Sequence, residues 1–242
     1  MSEQMADGIR FSSVGPLSVL AIILLIGLVI LLIPLFILGV IGAAFTRLGL
    51  SWITALALVL LILAGSFVNI PVYRIRRDMI RAVPMDIAGN ELDASFSIPP
   101  VWETVISVNL GGAIIPVCIA LYLMYQAVMV TGTAFSVPVA LSAVLVMIIT
   151  FLSTREVAGV GIRVPFLIPA LTALLAGVLL SGGTGLAAAV TAFAAGTLGT
   201  LAGGNLAHLF HVRDLEVPEA SIGGFGTFGA VFLCCILPAL IA

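Results

Sequence analysis

Apolar residues run in long blocks along this chain, interrupted by Gly, Pro and short charged stretches and not by the polar face of an amphipathic helix. The first block, Leu17 to Phe45, exceeds the ~20 residues that cross a bilayer, and Pro34 near its middle predicts a kink. With Gly, Pro and charge as punctuation, the pattern predicts seven helices at about 17–45, 48–71, 104–126, 135–153, 165–181, 185–207 and 223–241. The expected fold class is therefore all-α, a polytopic transmembrane helix bundle of about seven spans, some interrupted by Gly or Pro. A short tail, 1–16, precedes a single transmembrane domain, 17–242, which carries one large loop over 74–102. The first block is roughly twice the length of the apolar region of a signal peptide, so it is expected to stay in the membrane.

Composition narrows the function classes. Of 242 residues, 62% are apolar and 8% charged, where a soluble domain carries roughly a quarter charged residues. That excludes a soluble enzyme, a nucleic-acid binder, a disordered chain and a secreted disulfide scaffold. Cys118, Cys234 and Cys235 all fall in apolar runs and read as packing residues.

The nine basic residues are all Arg, and they are unevenly placed. Arg10, Arg74, Arg76, Arg77, Arg81, Arg155, Arg163 and Arg213 fall on one side of the predicted spans, and Arg47 alone on the other. The positive-inside rule then puts the N-terminus in the cytoplasm and the C-terminus outside, in a prokaryotic cell membrane. All eleven acids lie on or near the Arg-rich side, so the aqueous chemistry is expected there. The Arg cluster opening the 74–102 loop suits anionic headgroups, at about 1 kcal/mol per charge; a docking surface is the sharper alternative.

The predicted sixth helix differs in kind from the first. From Gly185 to Asn205, fifteen of 21 residues are Gly, Ala or Thr, including a Gly199-Thr-Leu-Ala-Gly203 pattern that lets backbones approach closely. It is expected at the centre of the bundle with the seventh helix as its partner, and the small-residue faces of both could also receive a second copy of the chain.

Polar residues inside spans are costly and mark functional sites by default. Asn69 precedes Ile70-Pro71, Asn109 precedes Leu110-Gly-Gly, and Asn205 follows Gly203-Gly204 with His208 one turn on. At 1.5 Å per residue, the three asparagines come out roughly 8–12 Å below the cytoplasmic surface. Val68-Asn-Ile-Pro is echoed by Val108-Asn-Leu-Gly, although no inverted repeat is evident. Near the same depth lie Arg155, Glu156 and the Gly-containing stretch to Arg163 and Pro165, tolerated at membrane depth only if buried in protein or lining a wet cavity. The bland alternative makes each Asn a cap or a mate for freed backbone groups. On a regular helix Asn205 points away from the Gly199/Gly203 face, and only a break at Gly203-Gly204 or a covering seventh helix would turn it inward. Arg155 is expected to pair with Glu103 or Asp214, and Glu156 with Arg163. His208, His211, Asp214 and Glu216 have a weak metal-ligand flavour without a third ligand of fixed spacing. No hydrolase, zincin, P-loop or Rossmann fingerprint is present, so no catalytic residue, metal or cofactor is expected.

Five ordered motifs resemble one family: Gly65-Ser-Phe-Val-Asn-Ile-Pro-Val72, Ser107-Val-Asn-Leu-Gly-Gly-Ala-Ile-Ile-Pro-Val117, Glu156-Val-Ala-Gly-Val-Gly-Ile-Arg-Val-Pro165, Gly196-Thr-Leu-Gly-Thr-Leu-Ala-Gly-Gly-Asn205 and Ile222-Gly-Gly-Phe-Gly-Thr-Phe-Gly229. From about Leu48 onward the chain resembles the prokaryotic multi-pass membrane proteins grouped as domain of unknown function 1614. The resemblance implies a membrane protein without an established activity, and Asp at the positions of Asn205 and Gly229 in many relatives. Two carboxylates about 12 Å deep on consecutive helices could share a proton and a water, but an amide and a glycine cannot act as that pair.

The leading expectation is a carrier or binding protein for a small polar solute. Its candidate ligand-binding residues are Asn69, Asn109, Arg155, Glu156, Arg163, Asn205, His208 and Thr227, and its other partner is the lipid bilayer, with no nucleic acid. The alternatives are a degenerate aspartyl-type intramembrane protease relative, and a membrane scaffold that uses the 74–102 loop.

Overall fold

The computed structural model describes residues 16–46, 48–78, 101–131, 136–212, 215 and 217–241. Among them the chain is mostly helical, with helices α1 (Pro16–Thr46), α2 (Trp52–Gly65), α3 (Ile115–Thr131), α4 (Ser136–Ser153), α5 (Leu167–Leu180), α6 (Leu186–Gly204) and α7 (Phe228–Ile241). Three helical segments, Ile23–Gly42, Leu110–Val130 and Leu186–His208, are long and apolar enough to cross a membrane, which suggests a membrane protein. The expected tail and most of the 74–102 loop, with Arg10, Arg81, Asp86, Glu91 and Asp93, lie outside the described residues, as do Arg47, Arg213, Asp214 and Glu216.

The chain divides into two compact units, Met1–Val40 and Ile41–Ala242. In the first, α1 is a bed of Leu, Ile and Val whose side chains from Ile23 to Ile37 are all exposed. A helix apolar on every side has a surface suited to acyl chains and not to water.

The second unit is built around α6. Its residues from Ala188 to Thr197 are all buried, because Ala, Gly and Thr let α3, α4, α5 and α7 close in on every side. A Cβ added at Gly199 would lie 2.7 Å from the Ala143 carbonyl oxygen, and one at Gly203 only 2.2 Å from that of Met147. The Gly199/Gly203 face therefore receives α4. α7 meets α6 at Gly196, where a Cβ would lie 2.9 Å from that of Cys234. The small-residue faces of α6 are thus already used inside the chain. Outward-facing positions carry large apolar side chains, among them Ile53, Leu121, Leu141, Ile148, Leu171 and Leu179.

The all-α expectation needs correction at one end of this bundle. Strand β1 (Asn69–Asp78) pairs antiparallel with β2 (Val101–Asn109), in register from Asn69 opposite Asn109 to Asp78 opposite Val101. A hairpin of β3 (Arg155–Val157) and β4 (Gly161–Arg163) follows α4, turning through Gly159 at φ 73°. Strand β5 (Glu219–Ile222) adds parallel to β2, giving the sheet order β1-β2-β5. The predicted helix 48–71 therefore ends at Gly65, and 104–126 is a strand as far as Asn109. A π-helical turn, Leu110–Ile114, then leads into α3. The segment 223–241 becomes helical only at Phe228.

Local chemistry explains the strands. Tyr73-Arg-Ile-Arg76 alternates with period two, and β2 is rich in Val, Ile and Thr, which fit a pleated surface. Pro71 cannot donate to a ladder and accordingly lies on an edge strand, beside the register shift between Pro71 and Tyr73.

Candidate functional site

All three asparagines sit where a helix begins or ends: Asn69 and Asn109 at changes between helix and strand, Asn205 at the end of α6. Asn109 is the N-cap of the π-helical turn: its Oδ1 accepts the Gly112 N–H at 2.7 Å, and its Nδ2 donates to the Ser66 carbonyl at 2.7 Å and to Asn69 Oδ1 at 2.8 Å. Asn69 Oδ1 also accepts the Ser221 hydroxyl at 2.8 Å, so β1, β2 and β5 are joined through one amide. The echoed Val-Asn dipeptides are cross-strand neighbours, and Leu110 N–H closes the end of the ladder on the Val68 carbonyl at 2.9 Å.

Asn205 is turned inward by a break of the helix after Gly203-Gly204. α6 ends at Gly204, and Asn205 caps it with φ −115° and ψ −60° before a single 3-10 turn, Leu206–His208. Its Oδ1 accepts the Gly223 N–H at 3.2 Å and its Nδ2 donates to Thr227 Oγ1 at 3.0 Å. The α7 lead-in thus answers Asn205 through buried Thr227. Gly229 is exposed, with room for a Cβ 3.8 Å from that of Phe166.

The close backbone crossing beside this junction requires glycine. A Cβ at Gly112 would lie 1.9 Å from the Gly223 carbonyl oxygen, and Gly223 itself has φ 74°. Gly111-Gly112 and Gly223-Gly224 are therefore the two sides of one contact.

Between these junctions and the β3–β4 hairpin lies a cavity of about 90 Å³. Its polar lining is Asn69, Asn205, Glu219 and Ser221; Ile162, Leu209, Leu215 and Val217 supply apolar wall. Glu219 Oε1 accepts the Ser107 hydroxyl at 2.5 Å. No other hydrogen bond to the Glu219 carboxylate, and none from Asn69 Nδ2, is made among the described residues. Glu219, Ser221 and Ser107 are absent from the sequence-derived set. The signal that finds them is alternation: residues 219 and 221 point to one face of β5, and Ser221 lies opposite Ser107 in the register.

The remaining candidates fall outside the cavity. Arg155 and Arg163 are directly opposed across β3 and β4 and line a separate open groove with Leu152, Pro165 and Ile168. Neither makes an ion pair among the described residues, and the Arg163 guanidinium stands 5.7 Å from the centre of the Phe225 ring. The expected Arg155–Glu103 and Glu156–Arg163 pairings are corrected accordingly, while the alternative partner of Arg155, Asp214, lies outside the described residues. Glu103 is engaged by Arg76 at 2.8 Å, with Arg74 at 4.0 Å, and Glu156 turns away from Arg163 toward the histidines. Glu156 Oε1 lies 2.6 Å from His208 Nδ1 and 3.1 Å from His211 Nδ1. His208 is buried and stacked on Phe151, ring centres 4.8 Å apart.

A family model described as protein of unknown function (DUF1614) matches residues 63–241. No curated protein and no solved structure matches the chain.

Proposed function

The chain belongs to the DUF1614 family, and on that premise we propose that it is a multi-pass protein of the prokaryotic cell membrane that binds a small polar solute in its cytoplasmic half, as a carrier or binding protein. The observation that carries the reading is the cavity of about 90 Å³ in which Asn69 Nδ2 and a Glu219 oxygen remain uncommitted. Its size admits a few waters or one small molecule and falls well below the ~300 Å³ and more of drug-sized sites. A free carboxylate oxygen beside a free amide donor favours a solute that itself carries hydrogen-bond donors.

In this reading the seven helices are the spans, N-terminus inside and C-terminus outside. α2, α5 and α7 have 14 residues each, about 21 Å at 1.5 Å per residue against a ~30 Å hydrocarbon core. Adjoining non-helical chain completes the crossing, tolerated at depth where protein groups satisfy it: Asn109 takes the Ser66 carbonyl after α2, Asn205 the Gly223 N–H before α7, and the Gly226 carbonyl the Val164 N–H before α5. Interrupted helices around a shared polar site are a recurring device of transport proteins.

The test is uptake and binding in proteoliposomes with a panel of small amines, amides and ammonium. Saturable uptake is expected in the wild type and its loss in Glu219→Gln, with Asn69→Ala raising the half-saturating concentration. Failure of every solute to bind, or wild-type uptake in Glu219→Gln, would refute the reading. Labelling of single cysteines introduced before α1 and after α7 tests the orientation separately.

A further inference from the structure

We propose that Glu156, His208 and His211 form a binding site for a divalent transition-metal ion of the zinc type. One carboxylate oxygen and one nitrogen from each imidazole lie within 4.8 Å of one another. A tetrahedral zinc ion with bonds of ~2.0–2.1 Å sets its donors about 3.3 Å apart, so small side-chain rotations bring all three into range. Two imidazoles and one carboxylate are the donor set of open zinc sites, which keep a further position for water or a ligand. The two nitrogen donors argue against calcium and magnesium, which take oxygen.

The backbone under each ligand is held independently. Glu156 is paired with Ile162 in the β3–β4 hairpin, and that hairpin is tied down by the Gly159 N–H on the Leu215 carbonyl at 2.9 Å. His208 and His211 occupy successive turns after α6, each closed by a backbone hydrogen bond, His208 N–H to the Asn205 carbonyl at 3.1 Å and His211 N–H to that of His208 at 3.0 Å. Phe151 fixes the plane of the buried His208 ring, while His211 is more than half exposed and leaves a path from water. The ion would join the hairpin to the exit of α6, two elements that wall the cavity through Ile162 and Leu209. The assignment does not depend on the solute reading.

The full chain, purified in detergent without a polyhistidine tag and stripped with a chelator, is titrated with Zn²⁺ by calorimetry and metal analysis. One equivalent is expected, with a rise in melting temperature and no binding of Mg²⁺ or Ca²⁺. His208→Ala, Glu156→Gln and His211→Ala should each weaken Zn²⁺ binding by at least about tenfold. Because His211 is exposed, His211→Ala should melt like the metal-free wild type, which separates a lost ligand from a lost fold. No zinc bound to the wild type, or unchanged binding in the Glu156→Gln/His211→Ala double variant, would overturn the proposal.

Discussion

Asn109→Ala tests how the helix–strand junctions are held together. The side chain is 1% exposed and makes three hydrogen bonds, one accepted from the Gly112 N–H and two donated, to the Ser66 carbonyl and Asn69 Oδ1. Gly112 is itself buried against the Gly223 backbone, so no water can replace the lost acceptor. An unsatisfied buried group costs about 1–3 kcal/mol; the half-buried Ser66 carbonyl and the exposed Asn69 amide recover water and add about 0.5–1 kcal/mol between them. The expected loss is about 1.5–4 kcal/mol, above the ~1 kcal/mol of a typical exposed N-cap. Asn69→Ala is the control. It removes only an acceptor shared by Asn109 and Ser221 at an exposed position, and should cost below about 1 kcal/mol. Unfolding in mixed micelles by sodium dodecyl sulfate, followed by Trp fluorescence, measures both. If Asn109→Ala falls within about 0.5 kcal/mol of wild type, or Asn69→Ala costs as much, the junction is not held by this amide.

Further outcomes follow from the same contacts. Asn205→Leu should destabilise by about 1–3 kcal/mol through the unpaired Gly223 N–H. Asn205→Asp should retain most of that stability, because a carboxylate accepts from both Gly223 N–H and the Thr227 hydroxyl beside the cavity; equal losses in the two variants would contradict the assignment. Gly112→Ala should prevent accumulation of folded protein, since its Cβ would lie 1.9 Å from a carbonyl oxygen, while Gly27→Ala meets nothing within 4 Å and should express normally. Under thiol labelling, Cys234 and Cys235 should stay protected until denaturation while exposed Cys118 reacts first; early modification of either buried thiol would contradict the α6–α7 packing.

The apolar blocks made the helices legible, and the small-residue composition of 185–205 marked α6 as central before any partner was known. The sheet was not legible, for a physical reason. Hydropathy averages over a span-length window, in which β2 merges with the apolar start of α3 and β1 with the end of α2. The period-two alternation of Tyr73-Arg-Ile-Arg76 is short and lies beside longer signals. The asparagines stand out because amides are rare in such surroundings, but helical periodicity alone turns Asn205 away from the Gly199/Gly203 face, and the break after Gly203-Gly204 is seen only in the fold. Glu219 carries no signal of its own in the sequence, where it is one more acid after Asp214 and Glu216. The third member of the histidine cluster is neither Asp214 nor Glu216 just downstream in sequence but Glu156, which the fold brings from 52 residues upstream of His208.

The polar groups available to a ligand are those left after the backbone has been satisfied. Where non-helical chain lies within an apolar surround, each freed N–H and C=O needs a partner from the protein itself. Asn109 is fully spent in this way on Gly112, Ser66 and Asn69, and Asn205 places both of its polar atoms on Gly223 and Thr227. Half of Asn69 and half of Glu219 remain. A ligand at the cavity is therefore recognised at the β1 and β5 edges, and substitutions there should change affinity with little loss of stability. Substitutions at Asn109 and Asn205 should do the reverse. Measured together, binding and unfolding of Glu219→Gln and Asn109→Ala should separate along these two axes, and a variant pair that loses both properties in parallel would mean that the cavity is only a packing gap.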